Sequence, residues 1–327
     1  MASPNSVFTE LVTTTHRKYK KSFADNVSNN NALLARLNKK GRKRTIDGGR
    51  TIVEELDYAE NGTYQRYSGY DTLDVSASDV LSAAEYNWKQ AAVHVTASGL
   101  ELRSNSGDTR IQSLAKARLM NAHRTFKNNI SSDIYSDGTA ANQIGGLTAI
   151  IPDATGGSLG GISGTSFPFW NQVVQSAAAP IAGGAITVSS STMEAFMSQL
   201  WLELVRGSDR PDLIVMSNDY YSFFENSQTS VKRYTSDTNT SVDRGSAGFV
   251  SLKFKDADVV FDGGSGISAA HAFFLNTDYL NLVCHKDADM DEVPEMRAIN
   301  QDAVVIPIIW MGNMTCSNRS LQGVAVA

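Results

Sequence analysis

The strongest constraint in this chain is one apolar stripe. Between Asp108 and Tyr135, apolar residues fall at Ile111, Ala115, Leu119, Ala122, Phe126, Ile130 and Ile134. Steps of three and four put them on one face of an α-helix. Ser106 or Asp108 supplies an N-cap, and Lys116, Arg118, Arg124 and Lys127 keep the other faces polar. The 28 residues would span roughly 42 Å at about 1.5 Å per residue. A helix of that length crosses a whole domain, so the other elements must be arranged along it.

Upstream, the pattern changes to extended ribbon. Thr51 to Tyr58 and Thr63 to Tyr70 flank the pair Asn61-Gly62. That pair favours positive φ at both central turn positions and predicts a tight hairpin. Its apolar residues are interrupted by Glu54, Glu55, Asp57, Arg66 and Asp71. A hairpin with no face to bury on its own body is marginal alone, so this one is expected to pack on another chain. Gln90 to Thr96 then alternates as a strand.

Elsewhere the chain reads as mixed helix and strand. Ser6 to Ala24 has a loose apolar face, Asn29-Asn30-Asn31 breaks or caps it, and Ala32 to Leu37 adds a turn of helix. The string LNKKGRKR reads as an exposed basic linker. Ser191 to Arg206 is a striped helix, Asp212 to Met216 a buried strand, and Tyr220 to Asn226 another helix. Val304 to Trp310 reads as a strand that Pro307 pushes to an edge or bulge.

The order of hairpin, strand and long helix resembles the major capsid proteins of tailed bacteriophages with the Hong Kong 97 type of fold. The resemblance is carried by NWKQAAVHVTASGLELRSNSG and IYSDGTAANQIGGLTAII, and by GGISGTSFPFW, PDLIVMSNDYYSFFENS, FKDADVVFDGG, AFFLNTDYLNL and WMGNMTCSNRSLQG. It covers roughly residues 45 to 327 and is nearest in kind to a short-tailed phage. It implies an α+β fold with a long spine helix, an extended β-hairpin loop and a compact α/β axial domain. The implied divisions are an N-terminal arm at 1–49, the extended loop at 50–105 and a peripheral domain at 106–189. An axial domain follows at 190–290, and 291–327 returns to the peripheral domain near the long helix. It further implies self-assembly through hexamers and pentamers into an icosahedral shell around double-stranded DNA, without sequence-specific DNA contacts. Portal, scaffold and decoration proteins are further candidate partners. Assembly is expected in the host cytoplasm and residence in the virion capsid. The alternatives are a shell for protein cargo, a tail or adhesin component, or an uncharacterised enzyme. Some relatives cross-link a hairpin Lys to a distant Asn. Here Ala59 to Tyr64 contains no Lys, so that chemistry is not carried over.

Reaction machinery is not legible. The sequence has no G-x-x-x-x-G-K-[ST], no G-x-S-x-G and no H-E-x-x-H. His16, His94, His123, His271 and His285 include no i, i+4 pair, and Cys284 and Cys316 have no C-x-x-C spacing and read as buried thiols. Asp287, Asp289 and Asp291 match the first positions of a calcium loop, but Glu292 stands where Gly is needed and Ala298 where a bidentate Glu is needed. The segment reads as an acidic surface loop, and no cofactor or metal is expected. Asn61, Asn239 and Asn313 match the glycosylation pattern, but with no secretory signal legible they read as turn or surface residues. No apolar run reaches the roughly 18 residues of a membrane span.

Charge is unevenly placed. Residues 1–50 hold eleven lysines and arginines against three acids, a net +8, which leaves −13 for the remainder of a chain whose total is −5. Such polarity points to contact between charged surfaces. Lys39, Lys40, Arg42, Lys43 and Arg44 are the expected basic intersubunit residues. Glu54, Glu55, Asp287, Asp289 and Asp291 are their expected acidic partners on a neighbour, with encapsidated DNA as the other candidate.

Overall fold

A computed structural model describes residues 31–100, 108–228, 252–262, 266–294, 296–297 and 302–327. The expected helix over Ser6 to Ala24 and the candidate glycosylation site Asn239 lie outside those residues. The described helices are α1 (Ala32–Lys39), α2 (Asp108–Asp133), α3 (Leu147–Ile150), α4 (Met193–Leu204) and α5 (Asn218–Ser227). None is long and apolar enough to cross a membrane.

The long helix α2 ends two residues before the predicted limit. Its described stripe is buried at Leu119, Ala122, Phe126 and Ile130. Asn31 caps α1, its side-chain oxygen accepting from Leu33 N at 3.0 Å and Leu34 N at 3.2 Å. α1 buries Leu33, Leu34 and Leu37, so the predicted single turn is a full helix seated in the core.

Strands β1 (Lys43–Ile46), β2 (Ile52–Asp57), β3 (Leu81–Tyr86) and β4 (Lys89–Ser98) precede α2. β5 (Ser158–Leu159), β6 (Ile162–Ser163) and β7 (Val173–Ser176) precede α4. β8 (Leu213–Met216), β9 (Leu252–Phe254), β10 (Ala257–Phe261) and β11 (His271–Leu275) follow it. The last are β12 (Leu280–Glu292), β13 (Met296–Arg297), β14 (Ala303–Cys316) and β15 (Gly323–Val326).

β14 is the centre of a five-stranded sheet. β4 pairs along one edge, β12 and then β13 run along the other, and β1 adds parallel to β12. This corrects the edge assignment for Pro307, which sits opposite His94 inside a fourteen-residue strand. The missing N–H falls where the other neighbour changes from β12 to β13, and the Pro307 carbonyl still accepts from Val293 N at 3.0 Å.

The second sheet runs β7-β15-β11-β8-β10-β9. β8 is buried on both faces, as expected where a strand is covered from both sides. Ile214 and Met216 meet α4 and α5 through Met197, Leu200, Tyr220 and Phe224. Leu213 and Val215 face a second core with Phe126 and Ile134, which also holds Leu282, Trp310 and Met314 of the five-stranded sheet. The end of the long helix therefore lies between the two sheets. In the C-terminal segment, Ile308 packs on Leu119 and Ala122 as expected, whereas β15 pairs within the six-stranded sheet.

Candidate assembly surfaces

The hairpin begins in a buried polar node. β2 alternates inward residues Ile52, Glu54 and Leu56 with outward ones. Ile52 and Leu56 join Ala84, Tyr86, Trp170 and Val283 in a small apolar cluster. Glu54 enters the same face as a carboxylate only 6% exposed. It accepts from Thr315 Oγ1 at 2.8 Å, Asn281 Nδ2 at 3.4 Å and Arg44 Nη1 at 3.2 Å. A buried carboxylate costs several kcal/mol, of order, unless donors surround it. Here three elements supply them, so the hairpin root is fastened to β1, β12 and β14. Tyr86 Oη donates to the Cys316 carbonyl at 2.9 Å, and burial pushes its pKa well up.

The glycine-rich segment clasps this root. The Gly160 carbonyl accepts from Glu85 N at 2.9 Å. Gly160 has φ +61°, and a Cβ there would meet the Ala84 side chain at 2.8 Å, so only glycine fits both demands. Beneath the clasp, Arg319 is fully buried. It donates to the carbonyls of Ile150 at 2.7 Å, Gly157 at 3.1 Å and Trp170 at 3.3 Å. Burial lowers its pKa, yet the guanidinium remains the donor that ties the 150–170 segment to the turn before β15.

The far end of the hairpin differs from expectation. β2 pairs with β3, Ile52 opposite Tyr86 and Asp57 opposite Leu81. Residues 58–80 form a long connection without strand, and Thr63 to Tyr70 is not the returning arm. Asn61-Gly62 lies in a local turn closed by Tyr64 N on the Asn61 carbonyl at 3.4 Å. Neither residue has positive φ, so the hairpin turn that the pair predicts does not form. Burial of Ile52, Leu56, Ala84 and Tyr86 sets the register instead. The connection leaves Tyr64 (81% exposed), Tyr67 (66%), Tyr70 and Val75 (93%) in solvent.

The basic segment is corrected too. It is not an exposed linker, because Lys43 and Arg44 begin β1. Lys40 Nζ lies 3.1 Å from both Asp212 and Asp278, and Arg42 lies 3.1 Å from Asp278. Lys43 lies 2.6 Å from Asp289, and Arg44 pairs with Glu54. Two of the expected acidic partners, Glu54 and Asp289, are thus met within the same chain. Lys39, Glu55, Asp287 and Asp291 are exposed. Asp212 also takes Arg36 Nε at 3.0 Å and Thr277 Oγ1 at 2.8 Å, while Arg36 reaches Asp258 at 3.3 Å. Arg36, Asp212, Asp258 and Asp278 were missed. The one local signal was the i, i+4 spacing of Arg36 and Lys40 on one helix face. Among the described residues no group of three His, Cys, Asp or Glu side chains is placed to hold a metal.

No protein-family model and no curated protein matches the sequence. The structure does match solved ones. The capsid asymmetric unit of cyanophage A-1(L) aligns with TM-score 0.60 and 16% identity over 87% of this chain and 90% of that one. The capsid of an empty GTA particle gives 0.56 at 10% identity, covering 88% of each chain. Mycobacterium phage Bobi gives 0.53 at 8%, over 88% and 89%. The chain has the Hong Kong 97-type capsid fold. Within this capsid fold, α2 is the long spine helix and β2–β3 the root of the extended loop. The six-stranded sheet with α4 and α5 is the compact α/β unit. β12, most of which falls within residues 190–290, belongs to the five-stranded sheet, while β7 and β15, from outside that range, complete the six-stranded one.

Proposed function

We propose that this protein is a major capsid protein that self-assembles through hexamers and pentamers into an icosahedral head shell enclosing double-stranded DNA. On this reading it is structural and not an enzyme, made in the host cytoplasm and resident in the virion. The six-stranded unit sits at capsomer centres, and the spine helix with the five-stranded sheet lies at their periphery. The observation that carries the reading is the hairpin, whose root is held by a buried carboxylate while residues 58–80 expose three tyrosines. An isolated subunit gains nothing by holding such a loop in water, whereas a neighbouring copy can cover it. Charge supports this pairing. Residues 58–80 carry Glu60, Asp71, Asp74 and Asp79 against Arg66, while Arg110, Lys116, Arg118, Arg124 and Lys127 lie on a spine helix with no acid between Thr109 and Ser132. Individually weak contacts suffice, because a closed shell makes many at once.

Light scattering after size exclusion, followed by negative-stain imaging, tests the reading. Capsomers or shells are expected, and a soluble monomer persisting at assembly concentrations overturns it. Nuclease digestion of the packaged material separates a DNA-filled head from a protein-cargo shell.

A further inference from the structure

We propose that a turn at residues 180–183 of one copy inserts Ile181 into an apolar slot on the next copy, head to tail around a ring. The inference rests on the shell reading and deepens it by naming one contact between copies.

The slot has a volume of about 440 Å3 and opens at one end of the six-stranded sheet. Its walls include Ile186, Val188, Phe223 and Ala270, each only partly buried. Tyr220 also lines it. That side chain is 2% exposed, and its hydroxyl has no hydrogen-bond partner among the described residues. Leaving a buried hydroxyl unpaired is costly. A backbone carbonyl arriving with an apolar side chain would accept its proton, so the slot suits a segment of polypeptide.

The turn supplies the matching shape. Gly183 N donates to the Pro180 carbonyl at 2.9 Å, and Ile181 N donates to Gln175 Oε1 at 3.0 Å. Gln175 is itself fully buried and donates to Gln199 Oε1 at 2.7 Å. The turn is therefore preorganised on a fixed side chain, which lowers the ordering cost of binding. Yet Ile181 is 40% exposed. The neck of the loop is closed by Ile186 N on the Ala177 carbonyl at 2.8 Å, and both of those residues line the slot. Knob and slot thus stand side by side at one end of one sheet. A knob offset from its slot pairs with identical copies by rotation, and a rotation that closes makes a ring.

The test places Cys at Ile181 and Phe223 in the full chain and oxidises assembled particles. The native thiols do not compete, because Cys284 and Cys316 are fully buried and burial pushes both pKa values up to about 12. A ladder of disulfide-linked oligomers on a non-reducing denaturing gel, absent from either single variant, is expected. A ladder that stops at dimer, or monomer alone, overturns the proposal.

Two further variants keep folding separate from assembly. Ile181→Asp should leave subunit unfolding unchanged and abolish assembly at the wild-type threshold concentration. Tyr220→Phe should keep or raise subunit stability and weaken assembly by roughly two- to tenfold, the worth of one hydrogen bond. If wild-type chains assemble and Ile181→Asp chains assemble equally well, the slot contact fails while the shell reading stands. If wild-type chains never assemble, both fall.

Discussion

The basic segment 36–44 and the hairpin connection 58–80 both look partner-seeking in the sequence, yet they end in opposite conditions. Arg36, Lys40, Arg42, Lys43 and Arg44 all find carboxylates in their own chain. Tyr64, Tyr67 and Tyr70 of the connection stay in solvent, and only Tyr58, at its start, stacks on Phe169. Long flexible cationic side chains can reach acids that the fold brings near, so a charge run says little about which chain holds its partner. Aromatic rings on a connection that no sheet covers have no such reach. Exposed aromatics on an ordered root are therefore the better guide to an intersubunit surface.

The largest expected effect tests the hairpin root. Glu54→Ala leaves Thr315 Oγ1, Asn281 Nδ2 and Arg44 without their acceptor and should cost about 3 kcal/mol, read as a lower urea midpoint of the subunit. A midpoint equal to wild type would mean that the root is not anchored there. Next, Gly160→Val forces a left-handed β-branched residue against Ala84. About 1–3 kcal/mol of backbone strain is expected, with faster proteolysis at residues 58–80 as the hairpin loosens. Unchanged cleavage would remove the clasp from the account.

The connection itself should behave in the reverse manner. Replacing Tyr64, Tyr67 and Tyr70 together with Ser should change subunit stability by less than about 0.5 kcal/mol while stopping shell formation in light scattering. Normal shells from that variant would break the contrast between the two regions.

The smallest effect is a pH dependence of the basic segment. Burial raises the Asp278 carboxyl, but hydrogen bonds from Lys40 and Arg42 outweigh it and hold the pKa below its ordinary value. A depressed carboxylate contributes stability above its unfolded pKa and loses it as pH falls through the folded one. Asp278→Asn should therefore flatten the stability loss below about pH 4, seen by comparing urea midpoints at acid and neutral pH. A steeper loss in the variant would reverse the sign of this pairing.

How much was legible varied with the range of the interaction. The Cα path of the spine helix and of β4 followed from spacing, because helix and strand periods are written in neighbouring residues. The Asn61-Gly62 signal was equally local and failed, because burial of Ala84 and Tyr86 beside Ile52 and Leu56 outweighed the turn preference. Arg44 and Glu54 were both singled out, but their pairing inside one chain depended on β1 lying parallel to β12, which no local pattern states.

By itself the sequence determined the amphipathic helices, the buried run Leu213–Met216, the charge asymmetry and, through its resemblance, the capsid fold. The tertiary structure alone decided that Gly323–Val326 closes a sheet begun at Val173, that Pro307 sits in a central strand, and that Arg319 is buried among carbonyls. It also decided that Ile181 stands beside an apolar slot. The physical reason is common to the first three. Periodicity selects the element and its buried face over a few residues, whereas strand partners and side-chain acceptors come from segments more than a hundred residues away. Their choice depends on which faces and polar groups remain unsatisfied once the whole chain has packed.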